Sequence, residues 1–291
     1  MSDPAGESGT EGTAAAPRDP AVRYAVTGGV ATLTMDQPHN RNALTPALIN
    51  GLGHGLARAA GDAAVRVVVL THTGPAFCAG ADLSAAARSG PAGGPAGGPA
   101  GGPGRPATAP RFELPEILAA IEDAPKPVLA RIAGHCMGGG VGLAAACDLS
   151  VAAEEAKFGF TEVRLGVAPA IISVVCLPKL RRADALELFL TGQRISAARA
   201  AEVGLITKAA PRETLDAEID ALVSQLVAGG PAALAAAKRL VFDVPVLGRT
   251  AAYKQTTAIS QALFGSEEAA EGIAAFREKR QPSWVPQEDR P

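Results

Sequence analysis

The 291-residue chain is poor in the features that mark whole classes of protein. Its four cysteines, Cys78, Cys136, Cys147 and Cys176, show no CxxC spacing and are too sparse for a secreted disulfide scaffold. A reduced, cytoplasmic setting is therefore expected. Charge of one sign is lacking too: 27 Lys and Arg against 29 Asp and Glu leave a net charge of −2. That balance offers no footprint for nucleic acid or an anionic membrane. No apolar run reaches the roughly 18 residues that a membrane span needs, and the N-terminal MSDPAGESGTEGTAAAPRDP has no apolar signal core. The four histidines, His39, His54, His72 and His135, make no i, i+4 pair, so no metal site is expected. GxSxG, HExxH, Walker A and EF-hand patterns are absent, which leaves serine hydrolase, zincin and nucleotide-phosphatase readings without support.

What the chain has in excess is glycine and proline, 33 and 23 residues. The excess is concentrated in a tail, residues 1–20, and in Ala85–Pro110, which holds 8 Gly and 6 Pro. The GGPA unit there has period four, and a collagen helix needs Gly at every third position. A disordered tail and one flexible insert are expected, around an ordered part of about 245 residues with ordinary globular composition. That is long enough for one large core without staples.

Alternation predicts strands at Val22–Val26 and Val30–Met35 around a Gly28-Gly29 turn. Thr45-Pro46 reads as a helix N-cap and first turn, with Leu48, Leu52, Leu56 and Ala59 on one apolar face. Val65–Leu70 and Pro127–Ile132 read as buried strands, Phe112–Ile121 and Val141–Cys147 as helices, and Leu149–Ala152 as a third short strand. From Ala170 onward the pattern is helical nearly throughout. The chain thus divides into a core over 21–200, an α/β unit interrupted by the insert 85–110, and a helical C-terminal region over 201–291.

Two glycine-bearing turns follow buried strands: Ala76-Phe77-Cys78-Ala79-Gly80-Ala81-Asp82-Leu83 and Gly134-His135-Cys136-Met137-Gly138-Gly139-Gly140. Glycine lets backbone approach a ligand closely, and the first N–H groups of a helix are free donors. One N–H from each turn, aimed at a common point, would form an oxyanion hole. Tight packing of helix on strand accounts for such glycines equally well. Gly140-Val141-Gly142-Leu143-Ala144-Ala145 also fits a dinucleotide fingerprint, but that motif calls for an acid about twenty residues on. Here Glu154 comes fourteen residues after Gly140. Glu162 follows the third strand in a short apolar loop, where a carboxyl group with raised pKa would suit proton exchange. A salt bridge to Arg164 is its structural alternative, as packing is for Cys78, Cys136 and His135.

Taken together, Arg41-Asn42-Ala43-Leu44, AFCAGADL at 76–83, GGGVGLAAACDL at 138–149, FGFTEVRLGVAPA at 158–170 and LTGQRISAARAAEVGLI at 190–206 resemble the enoyl-CoA hydratase/isomerase (crotonase) superfamily, in register from about Val22 to Lys279. The resemblance implies an α/β fold, a spiral of ββα units with a helical C-terminal trimerisation region, assembling as a homotrimer or dimer of trimers. It implies an acyl-CoA thioester substrate, with coenzyme A carried by the substrate and no separate cofactor. By resemblance the oxyanion donors are the N–H groups of Ala81 and Gly139, and Glu162 is the acid/base. Arg41, Ala43, Leu44, Ala79, Gly80, Asp82 and Leu83 would hold the pantetheine and adenine, Phe276 and Lys279 would add CoA contacts, often from a neighbouring subunit, and His135, Gly138 and Gly142 would border the substrate.

The chain departs from the two-glutamate pattern of well-known hydratases, because the position of the first acid is Gly142. The run from Gly138 to Ser173 resembles methylglutaconyl-CoA hydratase-like members, which favours a hydratase working through Glu162 alone. An isomerase using the same glutamate and a non-catalytic acyl-CoA binder are the alternatives. The insert 85–110, directly downstream of the first turn, is expected to act as a loose cover over the acyl end.

Overall fold

The computed structural model describes residues 20–83 and 112–286. The insert 85–110 and all but the last residue of the expected tail lie outside the described residues.

The expected hairpin forms from β1 (Val22–Thr27) and β2 (Val30–Met35), antiparallel with Thr27 opposite Val30. Helix α1 (Pro46–Gly61) starts where Thr45-Pro46 predicts, the Thr45 hydroxyl accepting from the Leu48 amide. Leu48, Leu52, Leu56 and Ala59 are buried on its inner face. Strand β3 (Val67–His72) is buried at all six positions, which only an internal strand covered on both faces can satisfy.

From β3 onward the chain repeats one manoeuvre. A long strand enters a main sheet, a three-residue strand follows almost at once in a second sheet, and a helix returns. β3 is paired this way with β4 (Ala76–Cys78), β5 (Val128–Ile132) with β6 (His135–Met137), and β7 (Leu149–Ala153) with β8 (Lys157–Gly159). Helices α2 (Leu114–Glu122) and α3 (Gly139–Ala146) lie between the units. With two further short strands, β9 (Arg194–Ser196) and β10 (Lys208–Ala210), the main sheet has the order β1-β2-β3-β5-β7-β10, parallel from β2 to β10, and the second has the order β4-β6-β8-β9. This is the ββα spiral that the resemblance implies.

Three expectations are corrected. The C-terminal part is not purely helical: β9 (Arg194–Ser196) closes the second sheet, and β10 (Lys208–Ala210) pairs with β7 at the edge of the main one. A boundary at residue 200 therefore cuts through the core, because three-residue strands carry no periodicity long enough to read. The same brevity hid β4, β6 and β8. Finally, Glu162 lies not in a loop but in a single 3-10 turn, Thr161–Leu165.

The remaining helices are α4 (Ala170–Cys176), α5 (Arg182–Thr191), α6 (Ala197–Glu202), α7 (Leu215–Ala228), α8 (Pro231–Asp243), α9 (Arg249–Phe264) and α10 (Glu267–Glu278). Helix α8 is fixed to the core by Lys238, whose ammonium donates to Asp148 at 2.9 Å and to the Ile121 carbonyl at 2.8 Å. Asp148 in turn accepts from the Val128 amide at 2.7 Å, at the start of β5.

Candidate active site

The two glycine turns, 58 residues apart from Gly80 to Gly138, meet in space. Gly80 has φ +87, and a methyl group on it would stand 3.0 Å from the Met137 carbonyl oxygen and 3.4 Å from the Gly139 nitrogen. Only glycine permits both that φ and that approach. The first turn is held from the other side by residues 41–44. Ala79 N–H donates to the Arg41 carbonyl at 3.0 Å and Leu44 N–H to the Gly80 carbonyl at 2.8 Å, while Leu44 and Ala81 form a parallel bridge.

Asn42 organises this junction, and no chemical role in the sequence singled it out. It is fully buried, its amide donating to the carbonyls of Thr73 and Ala76 at 3.0 and 2.9 Å while its Oδ1 accepts from the Gln37 amide at 2.8 Å. Arg41 and Asn42 both hold left-handed backbone, φ 58 and 53, a conformation that costs a non-glycine residue about 1–2 kcal/mol. The three Asn42 hydrogen bonds offset that cost. The readable signal is the residue type, since Asn tolerates left-handed backbone better than most.

The second turn leads into α3, with Gly138 as its N-cap at φ 51, ψ −123. Its own amide donates to the Gly159 carbonyl. Gly139 begins the helix, so its N–H has no intrahelical acceptor. Among the described residues, neither the Gly139 nor the Ala81 N–H donates to another group.

Glu162 faces these turns. A methyl group on Gly138 would stand 3.0 Å from its Oε1 and 3.7 Å from the Gly80 Cα. Glu162 Oε2 is buried and accepts no hydrogen bond from any described group. Burial pushes the carboxyl above its ordinary value, against a smaller opposing effect of its own backbone amide. The 3-10 turn is anchored by Phe160, whose ring packs on Phe189 at 4.3 Å between centroids. Arg164 donates to the Thr191 carbonyl, and among the described residues no ion pair joins it to Glu162.

The other predicted residues fall into two groups. Ala43 is buried, Asp82 half-buried, and Ala81 and Leu83 exposed beside the junction. Arg41, Ala79 and His135 line a cavity of about 320 Å³ with Met137 and Arg194. His135 Nδ1 there accepts from the Lys157 amide. Phe276 and Lys279 lie at the end of α10, with Phe276 84% exposed. Within one chain they make no described hydrogen bond or ion pair to the turns. All four thiols are buried and pushed upward, Cys78 to about 12 chiefly by burial, so packing is their role.

Gly142, where a second acid would stand, is buried on α3. A methyl group there would overlap Cγ2 of Ile172 and lie 2.9 Å from its Cβ. The position is glycine because α4 fills the space above it.

Residues 25–287 match the family model described as enoyl-CoA hydratase/isomerase. The chain belongs to this family. As a member of the enoyl-CoA hydratase/isomerase family it is 32% identical over 257 residues to a 2,3-dehydroadipyl-CoA hydratase of Escherichia coli (strain K12), covering 88% of this chain and 94% of that one. It is similar to the crystal structure of an enoyl-CoA hydratase of Mycobacterium smegmatis, with 32% identity, TM-score 0.78, and 91% and 99% of the two chains covered. An enoyl-CoA hydratase of Mycobacterium avium shares 41% identity over 91% of this chain and 99% of its own, with TM-score 0.64.

Proposed function

We propose that the protein is a hydratase that adds water to a 2-enoyl-CoA thioester, with Glu162 as its single acid/base. The observation that carries this reading is the Glu162 carboxyl set against Gly138, beside the two turns whose Ala81 and Gly139 amides have no acceptor among the described residues. In this mechanism the carboxylate takes a proton from water while the water oxygen bonds to Cβ. The π electrons shift toward the carbonyl carbon, and negative charge collects on the thioester oxygen. The Ala81 and Gly139 N–H groups receive that charge, an arrangement worth about 3–4 kcal/mol per donor. Glu162 then returns the proton to Cα, the carbonyl re-forms, and a 3-hydroxyacyl-CoA results with one water consumed.

CoA enters as part of the substrate, held by the segments Arg41–Leu44 and Ala79–Leu83. A homotrimer or dimer of trimers is the assembly we propose. Val174, Leu190, Phe264 and Phe276, 70%, 72%, 77% and 84% exposed, are apolar groups that such an assembly would cover.

One observation favours a second reading. With Ile172 over Gly142, α3 has an apolar wall in place of another acid, and a single carboxylate is sufficient to move a proton between Cα and Cγ in a double-bond isomerisation. The two readings separate by absorbance. Mixing the protein with crotonyl-CoA or 3-methylglutaconyl-CoA is expected to bleach the conjugated enoyl-thioester band, whereas an isomerase would create that band from a 3-enoyl-CoA. Neither change, with CoA ligands still bound, would mean an acyl-CoA binder.

A further inference from the structure

Gly138, the N-cap of α3, and Gly142 lie four residues apart, one helical turn along the chain. Each is covered by a side chain from outside the helix: the Glu162 carboxyl stands over Gly138, and Ile172 over Gly142. Ile172 is 2% exposed, and its Cγ2 occupies the space that any Cβ at 142 would need. One turn further along α4 lies Cys176. Its thiol is pushed up to about 12, first by burial and then, against Lys179, by the Glu162 and Glu122 carboxylates. Ile172 and Cys176 are thus both buried on α4, four residues apart, an aliphatic group and a thiol on the side of α4 that meets Gly142. The Gly142 amide donates to the Gly138 carbonyl at 3.3 Å, so the position covered by Ile172 is joined directly to the position covered by Glu162.

We infer that Ile172 is a specificity-determining residue, the wall that sets the width of the acyl pocket beside Glu162, and that it does so jointly with the missing side chain at Gly142. The inference rests on the placement of the acyl group at Glu162 given above. The two positions share one volume: atoms removed from residue 172 open the pocket, and atoms added at residue 142 refill it. Narrowness on this side selects thioesters whose reacting carbons carry slender substituents. An aromatic ring attached at Cβ meets Ile172 first.

The test compares kcat/KM for crotonyl-CoA and cinnamoyl-CoA in the wild type, Ile172→Ala, Ile172→Val and Gly142→Ala/Ile172→Ala. Binding of butyryl-CoA and 3-phenylpropionyl-CoA, which cannot react, is measured by calorimetry in parallel. Ile172→Ala is expected to shift the preference toward the aromatic thioester by at least about 10-fold, the low end of the roughly 10–200-fold that a single methylene of pocket space is worth. Ile172→Val is expected to shift it less in the same direction, and the double variant to move it back toward the wild type. A folded Ile172→Ala with both ratios within about twofold of wild type overturns the inference, and so does a double variant that keeps the full shift. If Ile172→Ala does not fold, an Ile172→Val protein with unchanged ratios does the same. The calorimetric ratio needs no turnover, so loss of the hydratase reading through an active Glu162→Gln protein is distinguishable from loss of this inference.

Discussion

The Glu162 carboxyl stands over Gly138, close enough that a single methyl group at 138 would lie 3.0 Å from Oε1. Backbone and carboxyl are therefore positioned as one unit. Gly138→Ala combines that crowding with a φ of 51 that a side chain resists, a strain of about 1–3 kcal/mol. The variant is expected to lose that much stability in urea unfolding and to fall more than about tenfold in turnover. Wild-type turnover would show that Glu162 works elsewhere.

Glu162→Gln is expected to lower the rate of water addition by about 10²–10⁴-fold, the usual contribution of a positioned acid/base. Its effect on stability has the opposite sign. Burial raises the folded-state pKa of Glu162 above its ordinary 4.5, so the folded protein holds the proton more tightly than the unfolded chain. That contribution is fully present below pH 4.5 and is lost as pH rises through the folded value. The Gln variant does not lose it, so thermal melts are expected to show Glu162→Gln at least as stable as wild type at pH 8. A variant clearly less stable at pH 8 than at pH 4.5, relative to wild type, contradicts the assignment.

Lys238 and Asp148 form a nearly buried pair, with 7% and 17% of their side chains exposed. Burial raises the Asp148 pKa, and Lys238 together with the Val128 amide opposes that rise. Lys238→Met removes the opposing cation and leaves the Ile121 carbonyl without this donor. A loss of about 3–5 kcal/mol is expected in urea unfolding at pH 7, as when one partner of a buried pair is removed. Adding Asp148→Asn is expected to recover part of it. Additive losses in the double variant would show that the pair is not coupled.

His72 bears on pH dependence in the acid range. Its Nε2 accepts from the Ala133 amide at 3.0 Å, at the β5–β6 corner that leads into the second turn. Burial lowers its pKa below 6.5, helped by Arg131 and Arg212 and opposed by hydrogen bonds to backbone. The folded state then binds fewer protons than the unfolded chain in this window. His72 contributes stability that is present above pH 6.5 and lost as pH falls through the lowered value. Denaturant midpoints at pH 7.5 and 5.0 are expected to fall further for wild type than for His72→Gln. Parallel falls would remove His72 from the acid sensitivity.

How much was legible varies by residue. Thr45-Pro46, the Gly28-Gly29 turn and the β-branched run of β3 were readable because capping, turn chemistry and burial on both faces leave local signatures. The strands Ala76–Cys78, His135–Met137, Lys157–Gly159, Arg194–Ser196 and Lys208–Ala210 were not, since three residues show no period and their pairing partners lie far along the chain. Asn42 and Ile172 escaped for a related reason. Each acts through atoms brought to it from a distant segment, Thr73 and Ala76 in one case and Gly142 in the other.

By itself, the sequence determined the inventory: few cysteines and no charge excess, the glycine turns, and one carboxylate in an apolar run. These are properties of residue type and local spacing. Tertiary structure decided what the inventory does. It brought Gly80 against Gly138 and Gly139, turned Glu162 over them with one oxygen unpartnered among the described residues, and filled the space above Gly142 with Ile172. The reason is steric and electrostatic: close approach, desolvation and excluded volume depend on distances between segments, and no local pattern encodes those.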